Sequence, residues 1–157
     1  MKPGRLFDSN TATVYHNGWD TGNPPWIKIY FGDEMTVSEV TIVNRLTFVG
    51  YLGNLEDTKV SILKSDSSEV ECGTLTGVNT ESQDVADQTY TIACQNVEGV
   101  GVLIERETSG NRWCIAEVSI FNSGIVQNSL NGYYLNKENT NFRGKHKIYI
   151  YILGIGD

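Results

Sequence analysis

An all-β sandwich or barrel is the fold that the sequence predicts, and three observations predict it. Short segments rich in Val, Ile, Thr and aromatic residues recur along the chain. Clusters of Gly, Asn, Asp and Ser separate them, and apolar residues at helical spacing are nearly absent. With 157 residues and 39% hydrophobic content, the chain can bury one sizeable core. Six strands follow in order, at residues 26–31, 37–43, 58–63, 89–94, 99–105 and 115–121. The stretch "PPWIKIYFGDEMTVSEVTIVNR", residues 24–45, reads as two of them joined by a polar turn and closed by Arg45. In the first, Ile27, Ile29 and Phe31 alternate onto one face. In the second, Val37, Ile42 and Val43 carry one break in phase, which predicts a bulge.

Charge narrows the function classes. With 12 Lys+Arg against 19 Asp+Glu, the net charge of -7 opposes a phosphate-backbone partner, so nucleic acid is not expected. No apolar run approaches the roughly 20 residues of a membrane-spanning helix. Met1 is followed by charge and Gly rather than by an apolar leader, which leaves open whether the natural chain starts upstream. Composition shifts after Asn122: residues 1–122 hold 8 basic and 17 acidic side chains, whereas residues 123–157 hold 4 and 2 and are dense in Asn, Tyr and Ile. The chain therefore divides into a β-rich domain, 1–122, and a C-terminal extension, 123–157, of no assigned role. The end of the extension, "IYIYILGIG", has the uncharged, β-prone character of an edge strand or an aggregation-prone segment.

Cys72 and Cys94 flank a polar stretch that returns the chain to a strand. A disulfide there would contribute on the order of 3 kcal/mol by restricting the unfolded chain; the alternative is two buried thiols in a reducing compartment. Zinc is disfavoured, since no CxxC occurs and both histidines are distant from the cysteines in sequence. Enzymatic chemistry also lacks a set of residues: there is no nucleophile elbow, no HExxH and no phosphate-cradling Gly-rich loop. The acidic runs "NLED" and "ERE" read as solvated faces, with paired glycosidase carboxylates as the competing reading.

The segments "LFDSNTATVYH", "PPWIKIYFG", "VSEVTIVNR", "TKVSIL", "CGT", "QTYTIAC", "GVGVLIER" and "IAEVSIF" occur in the order seen in F-type lectins, or fucolectins. These form the fucose-binding branch of the discoidin and coagulation-factor type C superfamily, and the resemblance covers about residues 5–121. It implies a jelly-roll β-sandwich of the discoidin-like, galactose-binding-like kind, with the site in loops at one end. It also implies a Cys72–Cys94 disulfide, a nearby Ca²⁺, secretion to the extracellular space and a role in innate recognition. The implied partners are fucose-type glycans or cell-surface glycoproteins, with the oligomeric state left open.

The branch's sugar site is a His, an Arg closing the "NR" strand, an acid two residues later and a second basic residue in the following loop. His16 and Arg45 stand at the first two positions. Thr47 replaces the acid and Asn54 the second basic residue, which removes a charge-assisted contact of roughly 1.5–3 kcal/mol. Phe48 and Tyr51 add aromatic surface in the same loop, able to stack on a sugar or pack on the sandwich. Without the resemblance, Arg45 reads first as a solvated strand end, and His16 as a loop residue bonded to backbone.

For the metal, the resemblance assigns Asp8, Asn10, Thr13 and Glu117 as oxygen ligands, with Arg5 standing where the branch has Asn. The simpler reading of Asp8 and Asn10 is a turn cap. A Cys pair that usually accompanies the site is absent at both positions, Val14 and Ala116, leaving Cys114 as an unrelated free thiol. The second functional reading is a discoidin-type adhesion module that binds protein or a cell surface and has lost fucose binding. Membrane insertion is disfavoured by the acidic charge of the domain.

Overall fold

The computed structural model describes residues 15–16, 24–45, 55–78, 84, 87–106, 113–121 and 149–151. Among the described residues there are seven strands: β1 (Tyr15–His16), β2 (Trp26–Asn44), β3 (Thr58–Leu63), β4 (Glu69–Thr74), β5 (Thr89–Arg106), β6 (Cys114–Phe121) and β7 (Tyr149–Tyr151). All pairings are antiparallel, as the strand-and-turn pattern requires of an all-β chain.

The expected strand pairs 26–31/37–43 and 89–94/99–105 are each one long strand, β2 and β5. The polar turns do not reverse the chain because each lies opposite the other. Between the pairs Tyr30–Gly101 and Met35–Gly99, four residues of β2 face a single residue of β5, so the two-stranded ribbon bends without ending. Gly101 is required there, since a Cβ on it would collide with the Ile29 carbonyl oxygen. Gln95 and Asn96, both at positive φ (53° and 61°), belong to a second irregularity further along the ribbon, between the pairs Val37–Val97 and Glu39–Ala93.

The bend at Gly101 divides the hydrogen-bonded sheet into two halves. On one side, residues 28–30 of β2 pair with β7, and 26–30 with β5, which continues through β3 to β4. On the other, residues 39–44 pair with β6, which carries β1, while 39–43 pair with the first part of β5. Strands that pass from one layer to the other through a bend make the corners of a β-sandwich. The inner faces meet in one core: Ile27, Ile29, Phe31, Val60, Ile62, Val102 and Ile104 from one half, and Val40, Ile42, Ile92, Ile115, Val118 and Ile120 from the other. Trp113 is fully buried in it, and its indole N–H donates to Thr58 Oγ1 at 2.9 Å.

The phase break in β2 coincides with a register shift between Val37 and Glu39, where Cys94, Gln95 and Asn96 of β5 face Ser38 alone, so the extra residues lie on β5 rather than on β2. Val37 and Val40 can then both face inward; Val43, expected inside, is only partly buried because Ile42 takes the core position. A second shift sets Val43 opposite Glu117 but Asn44 opposite Ile115, with Ala116 as the extra residue. Strand β4 was not expected from the sequence. Its glutamates and exposed Val70 lack an apolar face, as suits an edge strand whose charge blocks further pairing.

Cys72 and Cys94 form a disulfide from β4 in one layer to β5 in the other, and Cys114 is free and buried. The C-terminal segment contributes β7, which lies along Lys28–Tyr30 of β2.

Candidate functional site

The rim of interest is where β2 ends. Asn44 and Gln88 are fully buried there, and polar groups without water must pair with each other. The Asn44 main-chain N–H donates to the Gln88 carbonyl at 2.9 Å, and Asn44 Nδ2 donates to Gln88 Oε1 at 2.8 Å. Asn44 Oδ1 accepts the Arg45 main-chain N–H at 2.8 Å. Tyr90 Oη donates to Gln88 Oε1 at 3.3 Å, and the Gln88 N–H donates to the Asp84 carbonyl at 3.1 Å. Arg45 itself is partly buried.

Register brings His16 to the same end. Tyr15 and Asn44 both lie opposite Ile115, one on each side of β6, and His16 lies opposite Cys114. Since β1 and β2 are each antiparallel to β6, they run in the same direction, and His16 and Arg45 are the next residues along them. Two strand spacings separate their backbones, about 10 Å. Glu117 belongs to this end as well, opposite Val43, and its side chain is 6% exposed. Burying a carboxylate is costly unless a cation or hydrogen-bond donors compensate it.

Asn54, Phe48 and Tyr51, and the ligand candidates Asp8, Asn10 and Thr13, lie outside the described residues. Among the described residues no group of three or more His, Cys, Asp or Glu could hold a metal ion. Of the expected calcium set, only Glu117 falls within that range.

The acidic runs have structural partners. Glu56, in "NLED", accepts the main-chain N–H groups of Gly77 at 2.8 Å and Val78 at 2.7 Å. Those two bonds, Val78 foremost, hold its carboxyl below the usual range despite some desolvation. Gly77 supplies the positive φ of 69° that turns both N–H groups toward it. Glu105, in "ERE", forms an ion pair with Lys59 at 2.7 Å across the β5–β3 ladder.

The buried Asn44–Gln88 pair and the Glu56 clasp were not anticipated from the sequence. The "NR" strand end signalled Arg45 at the rim, not Asn44, whose partner lies 44 positions away, where nothing local marks it.

A family model described as a NedA-like, galactose-binding domain of the F5/F8 type C group matches residues 5–104. No curated protein matches the chain. Among solved structures, the lectin domain of lectinolysin, complexed with Lewis B antigen, is 20% identical with a TM-score of 0.60, covering 76% of this chain and 82% of its own. A fucose-binding module from Streptococcus pneumoniae is 22% identical with a TM-score of 0.59 over the same shares. A CBM32 domain from Clostridium perfringens, complexed with GalNAc-β-1,3-galactose, is 14% identical with a TM-score of 0.57, covering 74% of this chain and 81% of its own. At these identities the structures establish the fold, a galactose-binding-like β-sandwich. The family model spans well over half of the chain, and on that match the chain belongs to the F5/F8 type C family, as a discoidin-like, NedA-like galactose-binding domain.

Proposed function

We propose that the protein is a non-catalytic, lectin-like module that binds fucose or a related terminal sugar on secreted or cell-surface glycoconjugates. The observation that carries this reading is the register that sets His16 and Arg45 at one end of the sheet, on the two strands flanking β6. Planar guanidinium offers two parallel donors to adjacent sugar hydroxyls, and imidazole can donate to or accept from a third. The structural neighbours that bind Lewis B antigen or GalNAc-β-1,3-galactose support the same class of ligand. Asn54 in place of a basic residue and Thr47 in place of an acid weaken or redirect the preference for fucose.

Asp8, Asn10, Thr13 and Glu117 would hold a Ca²⁺ that stiffens the loops around this rim. Such an ion stabilises the native state by an amount that grows with the logarithm of its concentration over its dissociation constant. A glycan array run with calcium and with chelator tests both parts. Binding to terminal fucose or galactose-type sugars that weakens on chelation, without release of free sugar, is the expected result. An array without a bound glycan, beside capture of a protein ligand insensitive to monosaccharides, would overturn it in favour of an adhesion module.

A further inference from the structure

We infer that Gln88 is a positioning residue for the sugar-binding rim: it holds Asn44 through main chain and side chain, and Asn44 in turn sets the backbone direction of Arg45. The inference rests on the proposed carbohydrate reading for its purpose, and on the hydrogen-bond geometry for its substance.

The bonds orient one another. The Arg45 N–H can only donate, so the atom of Asn44 facing it must be Oδ1. Nδ2 is thereby turned toward Gln88, and the atom of Gln88 that meets it must be the acceptor Oε1. The Tyr90 hydroxyl donates to that same Oε1. One carboxamide orientation at 88 therefore dictates the next at 44, and that dictates where the Arg45 peptide N–H is held. Both carboxamides are fully buried, so water does not compete for these positions. Stability alone does not call for such a pair, because two apolar side chains of matching shape fill a buried space at nearly equal stability. An apolar side chain at 44 would remove the oxygen that accepts the N–H of the residue closing the strand.

Gln88 is itself anchored. Its N–H is bonded to the Asp84 carbonyl, and it lies within the segment closed by Cys72–Cys94. The other part of that segment, at Gly77 and Val78, is bonded by Glu56, which follows the buried Leu55. The disulfide-closed segment thus grips the chain shortly before and shortly after residues 46–54.

The test compares Gln88→Met, which keeps the volume and removes the acceptor, with Gln88→Glu, which keeps the acceptor. Val60→Ala, in the core away from the rim, serves as a control of comparable destabilisation. Two quantities are read: the amide resonance and hydrogen exchange of Arg45 without sugar, and sugar affinity by titration calorimetry. Gln88→Met is expected to shift the Arg45 amide, and to speed its exchange and weaken binding by about tenfold. Gln88→Glu restores both although its melting temperature falls, and Val60→Ala lowers melting while leaving both in place. Tyr90→Phe, which leaves the buried pair intact, gives a smaller shift of the same amide and keeps the test open if Gln88→Met does not fold. An unmoved Arg45 amide in Gln88→Met and Tyr90→Phe, or a loss of affinity in Val60→Ala equal to that in Gln88→Met, overturns the assignment. A shifted Arg45 amide in a protein that binds no glycan upholds the positioning and overturns the carbohydrate reading instead.

Discussion

Along β2, Ile27, Ile29, Val40 and Ile42 are buried among apolar side chains, whereas two residues past Ile42 the same strand buries Asn44 against Gln88. The first arrangement is non-directional: area removed from water stabilises it at about 25 cal/mol per Å², whatever the angle of approach. The second is directional, and contributes little net stability while specifying where each polar atom points. The body of the sandwich therefore determines whether the protein is folded, and the rim determines where Arg45 stands. Substitutions in the two regions should separate along those lines.

The largest effect is expected in the body. Trp113→Ala removes a fully buried indole and leaves Thr58 Oγ1 without that donor, so a loss of about 3–5 kcal/mol is expected. Thermal melting followed by near-UV circular dichroism reads it. A fall of only a few degrees would mean that the core is not built around this residue.

Next in size is the Cys72–Cys94 disulfide, which joins the exposed edge strand β4 to β5 across the layers. Replacing both residues by Ser should cost on the order of 3 kcal/mol through the freed unfolded chain. Because the closed segment contains Gln88 and the partners of Glu56, this change should also weaken sugar binding, which distinguishes it from Trp113→Phe or other core changes that stay folded. A non-reduced digest is expected to contain the Cys72–Cys94 peptide and unmodified Cys114. A Cys94–Cys114 linkage would contradict the observed strand order.

At the rim the order reverses. Arg45→Lys keeps the charge and loses the paired donors, so affinity should fall by about tenfold, equivalent to roughly 1.4 kcal/mol of binding, with melting nearly unchanged. His16→Ala should act in the same direction, and Asn54→Arg should strengthen fucose binding. If Arg45→Lys unfolds the domain or leaves binding intact, Arg45 belongs to the body and the comparison fails at its central residue.

The same division governs what the sequence made legible. Strand β3 matches residues 58–63 because "TKVSIL" is bounded by turn residues and is buried at every position but Lys59. The irregularity near Val37 was visible as a break in alternation along β2, since period two is a local property, but that the extra residues lie on the partner strand β5 was not. The fusion of β2 and of β5 was not visible: a polar turn that bends with its partner has the same composition as one that reverses the chain. Strand β4 was missed because an edge with Glu69, Glu71 and exposed Val70 carries no hydrophobic pattern. At the site, His16 and Arg45 stood out by residue type and order, whereas Gln88 acquires its role only from a partner 44 residues distant. Directional contacts of that range leave no periodic trace in a sequence.

The smallest expected effect concerns Glu56, whose carboxylate bridges body and rim. Its carboxyl is held below the ordinary value of 4.5 by the N–H groups of Val78 and Gly77. Folding thus favours the ionised form. A group whose folded pKa is depressed contributes stability that is fully present above its unfolded pKa and is lost as pH falls through the folded one. Between neutrality and about pH 5 the clasp should be constant; below about 4.5 stability should decline with a slope that Glu56 helps to set. Asp66 acts in the same acid window, held low chiefly by the Ser68 hydroxyl and then by its N–H, so it must be controlled for. Urea denaturation at pH 3 to 7 of the wild type, Glu56→Gln and Asp66→Asn separates the two. Each variant should be somewhat less stable near neutrality and show a shallower acid decline. Only Glu56→Gln should also speed amide exchange at Gly77 and Val78, because Asp66 bonds within the β3–β4 turn and touches neither. An acid slope in Glu56→Gln identical to that of the wild type would show that the carboxylate is solvated rather than clasped, and would detach residues 55–58 from the rim.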